Sequence, residues 1–318
     1  MRRGRDARVS RNGDRYLIVN PMFHSFGYKA GVLACLLKGA TMVLQRTFDV
    51  PETLRLIEQE RITVLPGPPT IYTSLLGAPG RGERDLSSLR LAVTGAADVP
   101  VALVRRVRAE LFPQVITAYG LTESTGTVSA CSVDDDAETI ATTCGRPIAD
   151  VEVAIVDGAG GKVPAGTDGA VLVRGYNVMK GYLGDPDATA ERIRDGWLDT
   201  GDRGHLDDRG NLVITGRTKE MFVVGGFNVY PAEVENVLAR HDAVAESGVV
   251  GVPDARLGEV GRAFVRLRPG REATEGELIK HCRERLANFK VPREVVFVDG
   301  LPKTASGKVR RVELKGRP

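Results

Sequence analysis

The alternation of short apolar runs with helical stretches between residues 17 and 144 constrains the fold of this chain most. Leu91-Ala92-Val93-Thr94 is an apolar run that ends at Gly95. Asp98 and Pro100 follow as a helix cap and a first-turn proline. Val104, Val107 and Leu111 recur at helical spacing, and Val115 to Ala118 reads as the next buried strand. This strand–turn–helix–strand rhythm predicts a parallel α/β sheet. In such sheets ligands sit beyond the carboxyl ends of the strands, where Gly95-Ala96-Ala97 and Tyr119-Gly120 both fall.

From about Gly145 the rhythm changes. Val151, Val153 and Ile155 alternate with Glu152, Ala154 and Val156, Gly158-Ala159-Gly160-Gly161 makes a turn, and Ala170 to Val173 is another strand. Short strands between Gly, Pro and Asp predict a small β-barrel-like or curled sheet ending near Thr215. The remainder reads as an α+β unit. Pro231 opens a helix with Val234, Val237 and Leu238 on one face, and Val249-Val250 and Phe264-Val265 mark strands. Thr274 and Glu277 form a capping box before Leu278, Ile279, Cys282 and Leu286. The expected division is a solvated, disordered tail over 1–15, an α/β subdomain over 16–144, a β-rich subdomain over 145–216 and an α+β domain over 217–318.

Composition narrows the function classes. A net charge of +3 over 318 residues leaves no nucleic-acid footprint. No apolar stretch is long enough to span a bilayer. The basic start Met1-Arg2-Arg3-Gly4-Arg5 lacks the apolar region of a secretory signal. Cys35, Cys131, Cys144 and Cys282 are far apart and read as reduced thiols of a cytoplasmic protein. His24, His205, His241 and His281 have no metal-ligand spacing.

Four motifs occur in a fixed order. They are Tyr119-Gly120-Leu121-Thr122-Glu123, Gly196-Trp197-Leu198-Asp199-Thr200-Gly201-Asp202, Gly216-Arg217-Thr218-Lys219-Glu220 and Pro302-Lys303-Thr304-Ala305-Ser306-Gly307-Lys308. Each is weak alone. Together they resemble the adenylate-forming superfamily of acyl-CoA synthetases, adenylation domains and luciferases, from about Gly13 to the end. The resemblance implies an ATP-dependent acid–CoA ligase. A carboxylate attacks the α-phosphate of ATP, pyrophosphate leaves, and the thiol of CoA displaces AMP from the acyl-adenylate.

The resemblance also implies roles. Glu123 is the candidate Mg2+ ligand, a hard oxygen donor beside a strand end. Thr122 would offer a hydroxyl to phosphate, and Tyr119 with Gly120 an aromatic face to adenine. Gly95, Ala96 and Ala97 match the adenine wall, where small residues allow close approach. Asp202 matches the carboxylate that accepts both ribose hydroxyls, and Arg217 a second ribose contact. His24 matches the gate between acyl pocket and thiol path. Lys308 matches the lysine bridging substrate carboxylate and α-phosphate, on a mobile loop. Lys219 sits at the family's hinge, which makes 217–318 a mobile lid. Gly225 and Gly226 would line the pantetheine tunnel once the lid has turned. Bland alternatives stand beside these readings: a capped polar loop at Thr122–Glu123, an exposed Asp-Gly turn at Asp202, a core histidine at His24, a basic loop at Lys308.

Three further stretches narrow the resemblance: Phe23-His24-Ser25-Phe26-Gly27-Tyr28-Lys29-Ala30-Gly31, Leu65-Pro66-Gly67-Pro68-Pro69-Thr70 and Gly225-Gly226-Phe227-Asn228-Val229-Tyr230-Pro231. They look like actinobacterial acyl-CoA synthetases of steroid ring catabolism, which act on a bicyclic indanedione propanoate. The family's Ser/Thr/Gly-rich phosphate loop should lie upstream of residue 13, so the chain reads as the distal part of such an enzyme. The implied partners are a small carboxylic acid, ATP and CoA, with a homo-oligomer or a complementing N-terminal fragment as protein partners. Two other functions stay open: an adenylation module that loads a carrier protein, and a non-catalytic remnant that binds nucleotide.

Overall fold

In the computed structural model, which describes residues 11–95, 99–218, 220–225, 227–304 and 307–316, the apolar runs of the first half become one sheet. Its strands are β1 (Arg15–Ile18), β2 (Thr41–Leu44), β3 (Val64–Pro66), β4 (Leu91–Gly95), β5 (Gln114–Tyr119), β6 (Ser129–Ala130) and β7 (Arg146–Pro147). The spatial order is β2-β1-β3-β4-β5-β6-β7, parallel from β2 to β5 and antiparallel across β6 and β7. Parallel strands need crossovers. These run through α1 (Ala34–Lys38), α2 (Val50–Gln59), α3 (Pro69–Leu76) and α4 (Val101–Glu110), while α5 (Ala137–Thr142) lies between β6 and β7.

Local chemistry explains the helix ends. The Asp49 carboxylate accepts the Glu52 amide at 2.9 Å and so caps α2. Pro100 has ψ 140°, so it stands before α4 as its cap residue and not inside the first turn. Asp98, the expected cap, lies outside the described residues. Val104, Val107 and Leu111 of the α4 region are buried in a core with Leu17, Ile57, Leu65, Leu75, Ala92 and Phe112. Burying each such aliphatic side chain contributes about 1.5–3 kcal/mol. Edge strand β2 is different: Met42 and Leu44 are exposed, as are Leu36 and Leu37 of α1.

Running directly into α1, residues Phe26–Leu33 wind as a π-helix. Its two glycines explain how it fits. A Cβ on Gly27 would lie 2.3 Å from the Pro21 carbonyl oxygen, and one on Gly31 would lie 3.1 Å from Ile18. π-Helical turns are rare and concentrate at functional sites.

A second sheet comprises β8 (Val151–Val156), β9 (Gly169–Gly175), β10 (Ile193–Arg194), β11 (Trp197–Leu206) and β12 (Leu212–Arg217). Its order is β10-β11-β9-β8, with β12 also on β11, and α6 (Pro186–Arg192) precedes β10. The alternation expected over 151–156 holds only in its first half. Glu152 is exposed, but Ala154, Ile155 and Val156 are all buried. The chain divides into two compact units within β11 and β12. Unit 1 holds residues up to 200 with 205–213, and unit 2 holds 201–204 with 214–318.

Unit 2 is built on β13 (Phe222–Val224), β14 (Phe227–Val229), β15 (Val244–Asp254), β16 (Gly258–Leu267) and β17 (Glu294–Phe297), in the order β14-β13-β16-β15 with β17 parallel to β16. The strand period of two sends neighbours to opposite faces. Val249, Ala263 and Val265 pack with α7 (Pro231–Leu238) and α8 (Glu275–Arg283) through Val234, Leu238, Leu278 and Cys282. Val250 and Phe264 face the other way, onto Leu301 and onto Leu314 of α9 (Arg311–Lys315). The Thr274–Glu277 capping box is formed in both directions. No helix among the described residues is long and apolar enough to cross a membrane.

The amino ends of β1, β3 and β4 are tied by one carboxylate. Asp14, 4% exposed, takes Arg90 Nη2 at 2.7 Å and the Thr63 hydroxyl at 2.9 Å. Removing it leaves a largely buried guanidinium uncompensated. Asp14→Ala is therefore expected to destabilise unit 1 by about 3–4 kcal/mol, the lower part of the range for a broken buried pair because Arg90 keeps some solvent. Urea unfolding followed by fluorescence and circular dichroism measures it, and a change under about 0.5 kcal/mol, the size of an ordinary surface substitution, would refute the clamp.

Candidate active site

The chemistry-bearing residues of unit 1 gather at the carboxyl ends of β4 and β5. Gly95 ends β4 in register with Ala118, and Tyr119 ends β5. Both glycines there answer to neighbouring backbone. A Cβ on Gly95 would sit 2.7 Å from the Ala118 carbonyl oxygen, and one on Gly120 would sit 2.4 Å from that of Gly126. Ala96 and Ala97 lie outside the described residues. Tyr119 is half-buried and packs against Val128, Val151 and Val173, so one reason for its aromatic ring is packing.

The loop after β5 is a short 3-10 turn, Thr122–Ser124, closed on itself. The Leu121 amide donates to Ser124 Oγ at 3.1 Å, and that hydroxyl donates back to the Leu121 carbonyl at 3.0 Å. Thr122 is exposed and Glu123 half-buried. Glu123 is held from 59 residues away, since the Tyr182 hydroxyl donates to its Oε1 at 3.0 Å. Its carbonyl also accepts the Met179 amide at 2.8 Å. Burial, and then the Glu123 carboxylate, push the Tyr182 phenol above its usual pKa, so it stays a neutral donor. Sequence reasoning missed Tyr182, because nothing local marks a tyrosine as the partner of a distant glutamate. Gly126 brings this loop beside the π-helix: a Cβ placed on it would lie 3.5 Å from Lys29 Cγ and 3.7 Å from Ser25 Cβ. His24, half-buried, accepts the Phe26 amide at Nδ1 at 3.2 Å, which leaves Nε2 for any ligand. Phe23 and Tyr28 on either side are exposed.

Unit 2 holds the second group. Asp202 lies inside strand β11, not in an exposed turn, and is 2% exposed. Gly201 just before it has φ +72°, which bends the strand there in the region that favours glycine. Arg217 Nε meets Asp202 Oδ1 at 2.9 Å. Gly216 is required by contact, since a Cβ would lie 2.6 Å from Tyr230 Cβ. Lys308 feels the same charges. It is exposed by surface area, yet its ammonium is crowded. That desolvation, and then Arg217, hold its pKa below the ordinary value, against the opposite pull of Asp202 and Glu220. Asp202 and Arg217 are thus ion-paired in unit 2, and the charges of both act on Lys308 of the same unit.

Gly225 (φ +56°) turns the β13–β14 hairpin and donates its amide to the Leu257 carbonyl at 2.8 Å. Phe227 beside it is exposed and stacks on Phe289 with centroids 4.8 Å apart. Lys219 and Gly226 lie outside the described residues. No cysteine side chain joins this chemistry among the described residues. Cys35, Cys131 and Cys282 are buried, and burial pushes each thiol up to about 11, which makes them inert packing groups.

The depressed pKa of Lys308 has a sign. The unfolded side chain keeps its proton to about its ordinary 10.5, and the folded one releases it earlier. The unfolded chain therefore binds more protons in that window, so stability rises with pH through it and is reduced below it. Lys308→Met is expected to raise the melting temperature at pH 7, with an advantage that shrinks as pH approaches 10.5. Melting curves across pH decide it. A Met variant that melts lower at pH 7 by a pH-independent margin would count against the crowded ammonium.

Comparisons with known proteins fit this geometry. The profile described as "AMP-binding enzyme" matches residues 2–183, and that described as "AMP-binding enzyme C-terminal domain" matches residues 233–308. A 7a-methyl-1,5-dioxo-octahydro-1H-inden-4-yl propanoyl:CoA ligase of Mycobacterium tuberculosis is 60% identical over 304 residues, 95% of this chain and 58% of the relative. The amide bond synthetase McbA of Marinactinospora thermotolerans superposes with a TM-score of 0.89 at 36% identity, over 96% of this chain and 62% of that one. The o-succinylbenzoate CoA synthetase MenE of Bacillus subtilis, solved with ATP and magnesium, gives 0.83 at 35% identity, over 95% and 61%. The chain spans somewhat under two thirds of the length of each. With its parallel sheet, its placed motifs and a profile match over more than half its length, the chain belongs to the AMP-binding enzyme family.

Proposed function

We propose that the chain carries the adenylate-binding and lid parts of an acyl-CoA synthetase, which converts a carboxylic acid, ATP and CoA to acyl-CoA, AMP and pyrophosphate in the cytoplasm. The observation that carries this reading is Lys308 beside Asp202 and Arg217 in unit 2. Asp202, already compensated by Arg217, accepts ribose hydroxyls, and Lys308 bridges the acid's carboxylate and the α-phosphate. The charge that builds on those oxygens is what a fixed ammonium stabilises. Thr122, Tyr119 and Gly95 with Ala96 and Ala97 hold phosphate and adenine.

The residues present fit Mg2+. Glu123 offers a hard carboxylate whose Oε1 is oriented by a neutral donor, Tyr182. When bound there, magnesium would neutralise phosphate charge and orient the leaving pyrophosphate. His24 gates the acyl pocket, with Phe23 and Tyr28 supplying apolar surface. Lys219 is the hinge about which the lid turns between half-reactions, exchanging Lys308 for Gly225 and Gly226 along the pantetheine path. The exposed apolar side chains of β2 and α1 support a protein partner, the remaining part of a relative-length enzyme. The domain division of 16–144, 145–216 and 217–318 is kept as part of this reading.

For the substrate, we infer a bicyclic indanedione propanoate, from the ligase relatives and from the His24–Gly31 and Leu65–Thr70 segments.

Grafting residues 11–318 onto the remainder of the Mycobacterium tuberculosis relative tests both statements. Acid-dependent ATP–pyrophosphate exchange is expected in the graft, and little in the chain alone. Lys308→Ala should lower that exchange by about 10²–10³-fold, while thioester formation from a pre-made acyl-adenylate is largely spared. Equal losses in both half-reactions would refute the role of Lys308. Specificity constants for the indanedione propanoate and for octanoate should favour the former by at least about 10-fold. Preference for octanoate would remove the steroid-derived substrate and leave the ligase reading intact.

A further inference from the structure

Lys308 stands on a loop whose two arms are tied together. The Arg310 amide donates to the Pro302 carbonyl at 2.8 Å, the Thr304 amide to the Lys308 carbonyl at 2.8 Å, and the Gly307 amide to the Thr304 carbonyl at 2.9 Å. Each arm is also rooted by an ion pair. On the first, Lys303 Nζ meets Glu246 at 2.7 Å. Burial alone would raise the Glu246 pKa, but Lys303 and Arg266 outweigh it and hold the carboxyl below its usual range.

The second root is stronger. Arg311 opens α9 three residues after Lys308, and its side chain is only 20% exposed. Its guanidinium holds two carboxylates at once. Nη1 meets Glu220 at 2.5 Å, Nη2 meets Glu235 at 2.6 Å, and Nε meets Glu235 at 3.2 Å. Glu235 is 12% exposed and also accepts the Val249 amide at 2.7 Å. Glu220 follows the position read as the hinge, and Glu235 belongs to α7. A planar fork can serve both carboxylates, whereas a lysine ammonium cannot reproduce that geometry.

The charge balance shows what this arrangement prevents. Two carboxylates share one guanidinium. Lys308 lies close enough to Glu220 and Asp202 to feel both, with Arg217 opposing them. Among the described residues its ammonium makes no ion pair within 4.0 Å, and the Glu220 carboxylate, itself held by Arg311, pulls on it from beyond that distance. We propose that Arg311 is the positioning residue for Lys308: by occupying Glu220 and Glu235 together it fixes the root of the loop and keeps the Glu220 carboxylate from capturing the ammonium. The proposal rests on the reading of Lys308 as the adenylation lysine. Without Arg311, the Glu220 carboxylate is free to pair with the Lys308 ammonium on which it already pulls, and Lys308 would be drawn away from substrate oxygens.

The test needs no turnover. The 318-residue chain is treated with an amine-acylating reagent over a pH series, and the rate at Lys308 is read by mass spectrometry against the exposed Lys162. Wild type, Arg311→Gln, Arg311→Lys, Glu220→Gln and the double variant Arg311→Gln/Glu220→Gln are compared at a temperature where circular dichroism shows each folded. A new pairing with Glu220 raises the Lys308 pKa by about half to one unit, so Arg311→Gln should slow its acylation at pH 8 by about three- to tenfold. Glu220→Gln in the same chain should restore the rate. Should Arg311→Gln not fold, Arg311→Lys should slow Lys308 by an intermediate factor, again reversed by Glu220→Gln. A merely structural Arg311 would loosen the loop without this reversal. An unchanged Lys308 rate in the Arg311 variants, or a loss that Glu220→Gln does not reverse, overturns the proposal. A graft that shows no acid-dependent pyrophosphate exchange would overturn the enzymatic reading while leaving the acylation result to stand on its own.

Discussion

The parallel alignment of β1, β3, β4 and β5 is the constraint on which unit 1 depends. Parallel pairing sends every carboxyl end to one edge, so Gly95 and the Tyr119–Glu123 turn arrive side by side through the Gly95–Ala118 register. The opposite edge carries the fixing charge. Asp14, Arg90 and Thr63 lock three strands in register where no ligand is needed. One edge is thus held rigid by polar bonds, and the other is left with loops that can meet substrate.

Unit 2 uses charge differently. Its sheet is covered on both faces by apolar contacts, and one set of charges forms two ion-paired groups, Asp202 with Arg217 and Arg311 with Glu220 and Glu235, from both of which charge acts on Lys308. Within that set the acids are matched to guanidinium groups, and the one ammonium is left without an ion pair among the described residues. Guanidinium is always charged and geometrically fixed, while an ammonium on a flexible stem can follow a charge that appears only during reaction. On the proposed reading of Lys308, the assignment of cations to partners separates structural charge from reactive charge.

Much of this was legible in the residues themselves. Turns, caps and strands announce themselves through local patterns, such as Thr274 with Glu277, Pro231 before an apolar stripe, and Val115 to Ala118. The positions of Gly95 and Tyr119 followed from the rule about strand ends. Other features have no local signature. The π-helix at Phe26–Leu33 depends on Gly27 meeting a carbonyl of Pro21, which spacing does not reveal. Asp202 looked like part of a turn because Gly201 suggests one, but the glycine bends a strand. Tyr182 on Glu123 and Arg311 on Glu220 join residues 59 and 91 positions apart, so only the folded chain pairs them.

The two carboxylates proposed to touch substrate show why such distant partners matter. A group that holds a metal must keep its full negative charge, and a group that accepts two hydroxyls needs only lone pairs. Glu123 is oriented by a phenol, a neutral donor that fixes Oε1 and leaves the charge intact. Asp202 is far more buried, and a bare anion there would be costly, so it is compensated by Arg217 at 2.9 Å. Exchanging these partners would spoil both tasks. A guanidinium on Glu123 would compete with a cation, and a phenol on Asp202 would leave a buried charge unmatched. On the proposed roles, the identity of each partner, more than that of the carboxylate, is what suits Glu123 to a metal and Asp202 to a diol.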